Sequence, residues 1–271
     1  MSEKDIIDRT SRPNTVSSII EQLAQLGVRQ GDTLLVHSSL SRLGWVCGGP
    51  QAVIQALLKA VGAEGTIVMP AHSGHWSDPA GWRNPAVPAE WVETIYREMP
   101  AFDPALTPTS GMGQIAELFR TWPGTLRSGH PQVSFAASGK HASSIVGEHP
   151  LTPAFGADSP LGRLCELEAK VLLLGVGYDS CTCMHLAETR LPGMPRKRMG
   201  AAIVANGERE WRWFEDFVYD ADDFDQIGVL FDKSGQVAVG RIGEAECRLF
   251  GARQAVETAE QWLRTGRRYV D

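Results

Sequence analysis

Cysteine is scarce in this 271-residue chain, and five of them (Cys47, Cys165, Cys181, Cys183, Cys247) make an odd, sparse set that excludes a disulfide framework. Cys181 and Cys183 stand one residue apart rather than the two typical of zinc and thioredoxin-like motifs, so all five read as reduced thiols. Long apolar runs are also missing. Residues 171–176 (VLLLGV) form one of the longest, far short of the roughly 20 needed to cross a bilayer, which argues against an integral helical membrane protein. The opening MSEKDIIDRTSRPN has no apolar stretch before a small-residue cleavage site; no secretory signal is expected, and a cytoplasmic location follows by default. Positive charge is in deficit, 26 Lys and Arg against 32 Asp and Glu for a net charge of -6. General nucleic-acid affinity is therefore not expected, and cationic ligands suit the chain better. Neither a GxSxG elbow nor a Walker A sequence occurs, and Gly175-Val-Gly177 is only a fragment of GxGxxG.

What is present is the composition of a globular protein, 43% hydrophobic and 21% charged. Residues 1–13 read as a loose arm. Asn14 or Thr15 then caps an amphipathic helix with Val16, Ile19, Ile20, Leu23 and Leu26 at helical spacing, closed by Gly27. DTLLVHSS at 32–39 reads as a buried strand that breaks into hydroxyls at its carboxyl end. Gly48-Gly49-Pro50 opens a second helix with Val53, Ile54, Leu57, Leu58 and Val61 on its apolar face, and TIVM at 66–69 is the next strand. Strand, helix and strand in this order predict a βαβ unit with parallel pairing. Residues 70–88 hold His72, His75, Trp76 and Trp82 among prolines and glycines, the punctuation of a long loop. Helices are expected near 88–98, 113–121, 141–147 and 160–167, a short strand near 134–138, and a central strand at 170–176, apolar on both faces. After Met199, strands at 201–204, 210–218 and 236–242 alternate with polar turns, Asn206-Gly207 being a strong hairpin signal, and a last helix runs from about 252 to 264. The expected architecture is α/β: a central mostly parallel sheet flanked by helices, with an antiparallel β extension at about 199–250, all within one domain spanning 14–271.

Four places can carry chemistry. Thr182, His185 and Glu188 recur at steps of three where a strand ends in glycines and enters a helix. A hydroxyl, an imidazole and a carboxylate on one stripe form a plausible proton-transfer set, although the same pattern fits a hydrogen-bonded histidine on the inner face of a helix. His37, Ser38, Ser39 and Leu40 sit at a strand end, where amides and hydroxyls can receive an anionic or carbonyl oxygen or simply make a polar turn. Arg127 and Ser128, with His130 nearby, could hold phosphate or belong to a solvated loop. The segment 208–225 sets eight carboxylates among six aromatics, a composition that suits a hydroxylated polycation as well as a solvated face. His72 and His75 with His37 and His185 lack the spacing of a zinc motif, and no metal is expected.

Taken in order, LLVHSSLSRLG at 34–44, GGPQAVIQALL at 48–58, EGTIVMPAHS at 64–73, the stretch 102–139 with TPTSGMGQIAELFR and LRSGHPQVSF, SPLGRL at 159–164 and VLLLGVGYDSCTCMHLAE at 171–188 resemble the aminoglycoside 3-N-acetyltransferase family across residues 15–200. The resemblance implies transfer of an acetyl group from acetyl-CoA to the 3-amino group of a 2-deoxystreptamine ring, conferring antibiotic resistance, in a fold unrelated to the GNAT acetyltransferases. It implies that His185 is the catalytic histidine with Glu188 as its partner. By the same resemblance His37, Ser38, Ser39 and Leu40 lie along the pantetheine and thioester, and Arg127 and Ser128 lie near the coenzyme. Asp78, Asp103, Asp179, Glu215, Asp216 and Asp220 are the candidates for holding the ammonium groups of the drug. The partners expected are two small molecules, aminoglycoside and acetyl-CoA, without metal, nucleic acid or membrane, and a homodimer is left open. An acetyltransferase of another primary amine, a thioester hydrolase and a non-catalytic polycation binder are the alternatives.

Overall fold

The structure is a computed structural model that describes residues 2–267; Met1, in the expected arm, and 268–271, at the end of the expected domain, lie outside the described residues. The segment expected as a loose arm carries a short helix, α1 (Glu3–Asp8), whose N-terminus is closed by a capping box between Ser2 and Asp5. Beyond it, the Thr10 hydroxyl accepts from the Trp45 amide at 2.8 Å, and Ser11 donates from amide and hydroxyl to Glu244 at 3.0 and 2.9 Å. The arm is thereby tied to the body at Trp45 and Glu244. Helix α2 (Val16–Leu26) begins at Thr15, which forms a second capping box with Ser18, and ends at Gly27, whose φ of 116° an L side chain rarely adopts.

Strand β1 (Thr33–Ser38), helix α3 (Gly49–Val61) and strand β2 (Thr66–Pro70) form the βαβ unit, with β1 and β2 parallel. There follow α4 (Val92–Glu98), α5 (Gly113–Arg120), β3 (Leu126–Arg127), β4 (Phe135–Gly139), α6 (Ala142–Val146), α7 (Pro160–Glu166), β5 (Lys170–Leu174) and the single-turn α8 (His185–Glu188). The carboxyl-terminal part contains β6 (Arg196–Ala205), β7 (Glu208–Phe217), α9 (Phe224–Asp232), β8 (Ala238–Ile242), β9 (Ala245–Gly251) and α10 (Ala252–Gly266). Seven strands make one sheet in the order β3-β4-β2-β1-β5-β9-β8. The centre, β2-β1-β5, is parallel and each flank is antiparallel, so five of the seven strands, β3, β2, β1, β5 and β8, run the same way.

The expected carboxyl-terminal β extension divides in two. Strands β6 and β7 form a separate two-stranded hairpin, paired from Arg196 with Phe217 to Ala205 with Glu208, and turn at Asn206 and Gly207, both with positive φ. Strands β8 and β9 instead join the main sheet beside β5. Helix α9 and strand β9 are additions to the expected elements.

Alternation along the central strands explains why the sheet is covered on both faces. Leu34, Val36, Ile67, Met69, Leu172 and Leu174 pack under α2, α3 and α5; Leu35, Val68, Val171 and Leu173 pack under α6 to α10. Truncating one of these buried leucines to alanine costs about 2 to 5 kcal/mol. Among the described residues no helix is long and apolar enough to cross a membrane.

Candidate active site

Strand β1 has β2 on one side and β5 on the other, and the chain leaves its carboxyl end at the point where strand order reverses. Open α/β sheets bind ligands in the crevice at such a switch point. Side chains at that edge alternate between the two faces. His37 follows Leu35 on the alternation of β1, and His72, two residues past the end of β2, contacts Phe135 and Phe155, so both imidazoles lie on the face that carries α8.

The turn after β5 delivers His185. Thr182–Met184 form a 3-10 turn that leads directly into α8, so Thr182, His185 and Glu188 follow one another through two short helical turns rather than along one α-helix. His185 donates from Nδ1 to Oε2 of Glu188 at 2.5 Å. The Glu188 carboxylate is fully buried, and its other oxygen accepts from Nη1 of Arg267 at 2.5 Å and from the Asp220 amide at 3.1 Å. Three donors, one of them cationic, offset the cost of burying this charge. Arg267 is held in turn by Asp223 at 2.6 Å.

Because Nδ1–H is engaged in donating to Glu188, Nε2 is the nitrogen left to exchange protons. Aromatic rings fix the imidazole plane: Phe155 stacks on it at 5.0 Å with 10° between planes, and Phe224 and Tyr219 approach at 4.8 and 5.5 Å. Thr182 is buried on the preceding turn. Burial, with the charge of His185 nearby, pushes the His37 and His72 imidazoles down to about 3, so both stay neutral at ordinary pH. Among the described residues no group of three or more His, Cys, Asp or Glu is placed to hold a metal ion.

At the carboxyl end of β1, Ser38, the residue after His37, opens on a cavity of about 710 Å³, lined also by Ser39, Leu40, Trp45, Gly49 and Gly113 among others. Helices α3 and α5 both begin on it, and neither has a side-chain cap. Their first-turn N–H groups and dipoles favour an anion there.

Other expected site residues are placed differently. Arg127 donates from Nε to Ser134, from Nη1 to the carbonyls of Pro104 and Thr107, and from Nη2 to the Ala71 carbonyl and the Ser73 hydroxyl. This guanidinium knits three loops together and has no group left to hold a phosphate. Ser128 is fully buried, accepts from the Phe135 amide and is bonded to His149 Nδ1, both at 2.9 Å. The coenzyme roles expected of these two residues are therefore corrected to structural ones.

The six acids also disperse. Asp78 accepts from the Tyr96 hydroxyl at 2.7 Å and the Ala80 amide at 3.0 Å, and Asp103 caps the amides of Ala105 and Leu106. Asp216 is a correction. It is buried, and accepts from the Thr152 hydroxyl at 3.0 Å, the Ala154 amide at 3.3 Å and the Tyr219 hydroxyl at 3.4 Å, so it anchors a loop instead of facing a ligand. Glu215 is exposed on β7 and pairs in register with Arg198, as Asp216 does with Lys197; the basic strand β6 offsets much of the acidic charge of β7. Asp179 is exposed near Asp225, and Asp220 alone adjoins the His185–Glu188 pair through its amide to Glu188.

The chain matches the family model for aminoglycoside 3-N-acetyltransferase over residues 35–264. It belongs to that family. Among relatives of this acetyltransferase family, the chain is 48% identical over 261 residues to the SPbeta prophage-derived aminoglycoside N(3')-acetyltransferase-like protein YokD of Bacillus subtilis (strain 168), covering 96% of each. The crystal structure of that protein superposes with a TM-score of 0.96, at 47% identity and covering 97% of this chain and 98% of the other. Aminoglycoside N(3)-acetyltransferase VIII of Streptomyces fradiae is 36% identical over 279 residues, covering 97% of this chain and 96% of its own length. AAC-IIIb, solved as a binary complex with CoASH, superposes with a TM-score of 0.83 at 34% identity, covering 94% and 97%.

Sequence reading missed Arg267, 79 residues from the carboxylate it supports, and the rings of Phe155, Phe224 and Tyr219 that hold His185. No local pattern signals such partners. The one available cue was the density of aromatics near 211–219.

Proposed function

We propose that this chain transfers the acetyl group of acetyl-CoA to the 3-amino group of a 2-deoxystreptamine aminoglycoside, in the cytoplasm, with His185 as general base. The observation that carries this reading is the His185–Glu188 pair, backed by Arg267, at the switch-point edge of the sheet where Ser38 at the end of β1 opens on a cavity with two uncapped helix N-termini. The cavity suits the coenzyme: the pyrophosphate takes the helix N-termini, and the pantetheine runs along Ser38, Ser39 and Leu40 toward the carboxyl end of β1.

An aminoglycoside amine arrives protonated and attacks only after losing a proton. That first proton leaves to solvent; as the neutral amine attacks, His185 Nε2 takes a second proton from its nitrogen, and Glu188 stabilises the imidazolium across the Nδ1 bond. As the amine nitrogen bonds to the thioester carbon, the C=O π pair moves to oxygen. When the C=O bond re-forms, the C–S bond breaks and the thiolate recovers a proton from the imidazolium. The products are the acetamide and CoA. Thr182 is the hydroxyl of the set, and Asp220 and Asp179 are the acids retained as contacts for the drug's ammonium groups. Acetylation removes one positive charge from the drug, the chemical basis for resistance.

Release of CoA thiol from acetyl-CoA, with and without a panel of aminoglycosides, tests the proposal. Aminoglycoside-dependent release with an N3-acetylated product is expected. No release with any amine identifies a binder, and amine-independent release a hydrolase.

A further inference from the structure

Two polar atoms at this edge of the sheet have no evident structural purpose. Nε2 of His37 and Nε2 of His72 are both closed off from solvent, and neither has a hydrogen-bond partner. A buried polar atom left without a partner costs about 1 to 3 kcal/mol, and such atoms are uncommon in native proteins. Phenylalanine would serve the packing at least as well at position 72. The His72 ring stands edge-on to Phe135 at 5.6 Å and leans on Phe155 at 5.9 Å. Phe155 is the same ring that stacks on His185, so His72 and His185 share one aromatic neighbour. His37 belongs to the same group: it lies on the same face of the sheet, and both His37 and His72 feel the charge of His185.

The cavity proposed for the coenzyme reaches this group at Ser38, the residue after His37. Ser38 and His37 point to opposite faces of β1. A pantetheine arm entering from the α3 and α5 side has to cross the strand end to bring its thioester to the face where His37, His72 and His185 lie.

We infer that Nε2–H of His72, together with Nε2–H of His37, receives the carbonyl oxygen of the acetyl thioester and holds the oxyanion that forms when the amine attacks. The assignment rests on the acetyl-transfer reading above and adds a catalytic residue to it. Neutral imidazoles suit the task, because a permanently neutral ring keeps one N–H to donate and does not compete with His185 for the substrate's proton. Burial keeps these two rings neutral, as described above. No proton leaves either ring during the reaction; each only donates a hydrogen bond, which strengthens as negative charge grows on the oxygen.

The test compares His72→Phe, which keeps a ring between Phe135 and Phe155, with His72→Gln, whose side-chain amide restores a neutral donor. Removing an oxyanion donor typically costs 10² to 10³ in kcat; with His37 still in place, a loss of at least about tenfold is expected for His72→Phe and partial recovery for His72→Gln. The Kd for CoA, which has no acetyl carbonyl, should be the same in all three proteins, and the pH dependence should keep its shape because the lost donor does not titrate in the working range. Independently of any acceptor, the infrared C=O band of [1-13C]acetyl-CoA should shift to lower frequency on binding the parent and His72→Gln, and lose part of that shift with His72→Phe. An identical band shift in parent and His72→Phe overturns the assignment. So does a His72→Gln variant as impaired as His72→Phe, or a fall in CoA affinity that matches the fall in rate. Failure of the parent to bind either acetyl-CoA or CoA overturns the functional reading itself, and this assignment with it.

Discussion

Four imidazoles withdrawn from water, His37 and His130 buried and His72 and His149 part-buried, make this protein sensitive to mild acid. Burial holds His37 and His72 down to about 3 and His149 to about 4, and drives His130 well below its ordinary range. In the unfolded chain each titrates near 6.5. The folded values are depressed, so the unfolded state binds more protons below pH 6.5, and stability falls as pH drops from there toward the folded values. At pH 5.5 an unfolded imidazole is about ten-elevenths protonated while the folded one is neutral, a loss of about 1.4 kcal/mol per group relative to pH 7.5. Four groups together lose about 5 to 6 kcal/mol, comparable to the whole stability of many domains, about 5 to 15 kcal/mol. Urea unfolding at half-unit steps from pH 8 to 5.5, with proton uptake measured in parallel, gives the slope directly. A slope near 5 kcal/mol per pH unit at pH 5.5 is expected, with uptake of between three and four protons on unfolding, both from the same linkage relation. His72→Phe should lower the slope by about a quarter. A total change below about 2 kcal/mol between pH 7.5 and 5.5 refutes the reasoning, since it means that the folded protein protonates these rings without cost.

Glu188→Gln leaves Arg267 buried beside a neutral amide and removes the partner of the imidazolium; kcat should fall at least tenfold, with a loss of roughly 3 kcal/mol in chemical denaturation, and unchanged turnover excludes a catalytic role. A Cβ on Gly228 would stand 2.0 Å from the Tyr178 ring. Gly228→Ala must therefore push α9 outward, taking Phe224 with it off His185; a loss of about 1 to 3 kcal/mol in stability is expected, accompanied by lower kcat. Asp216→Asn tests the correction at that site: a stability loss of about 1 to 3 kcal/mol should come from the weakened anchors at Thr152 and Ala154, while KM for the aminoglycoside stays within twofold.

Much of this molecule was determined by short-range information. The 3.6-residue spacing in α2 and α3, the two-faced apolar runs of β1 and β5, and the Asn206-Gly207 turn each appear as expected because periodicity and turn chemistry act within a few residues. The i, i+3 pairing of His185 with Glu188 was legible for the same reason: both lie on one short stretch of chain, and the bond between them needs no distant element. What only the tertiary structure decided depends on which distant strands and loops become neighbours. The fate of Arg127 shows this, since its donors reach carbonyls at Ala71, Pro104 and Thr107 that meet only when the loops are folded over β4. The acidic run at 208–225 was read by composition alone, but antiparallel register set basic residues of β6 opposite its acids and buried Asp216 as an anchor. Glu188 is likewise a viable buried carboxylate only because α10 ends beside it and brings Arg267 within reach. Charge and hydrogen-bonding capacity are properties of the residue, and the sequence states them. Whether they are used internally or left for a ligand depends on burial and on long-range neighbours, which the packing of the sheet against its helices decides.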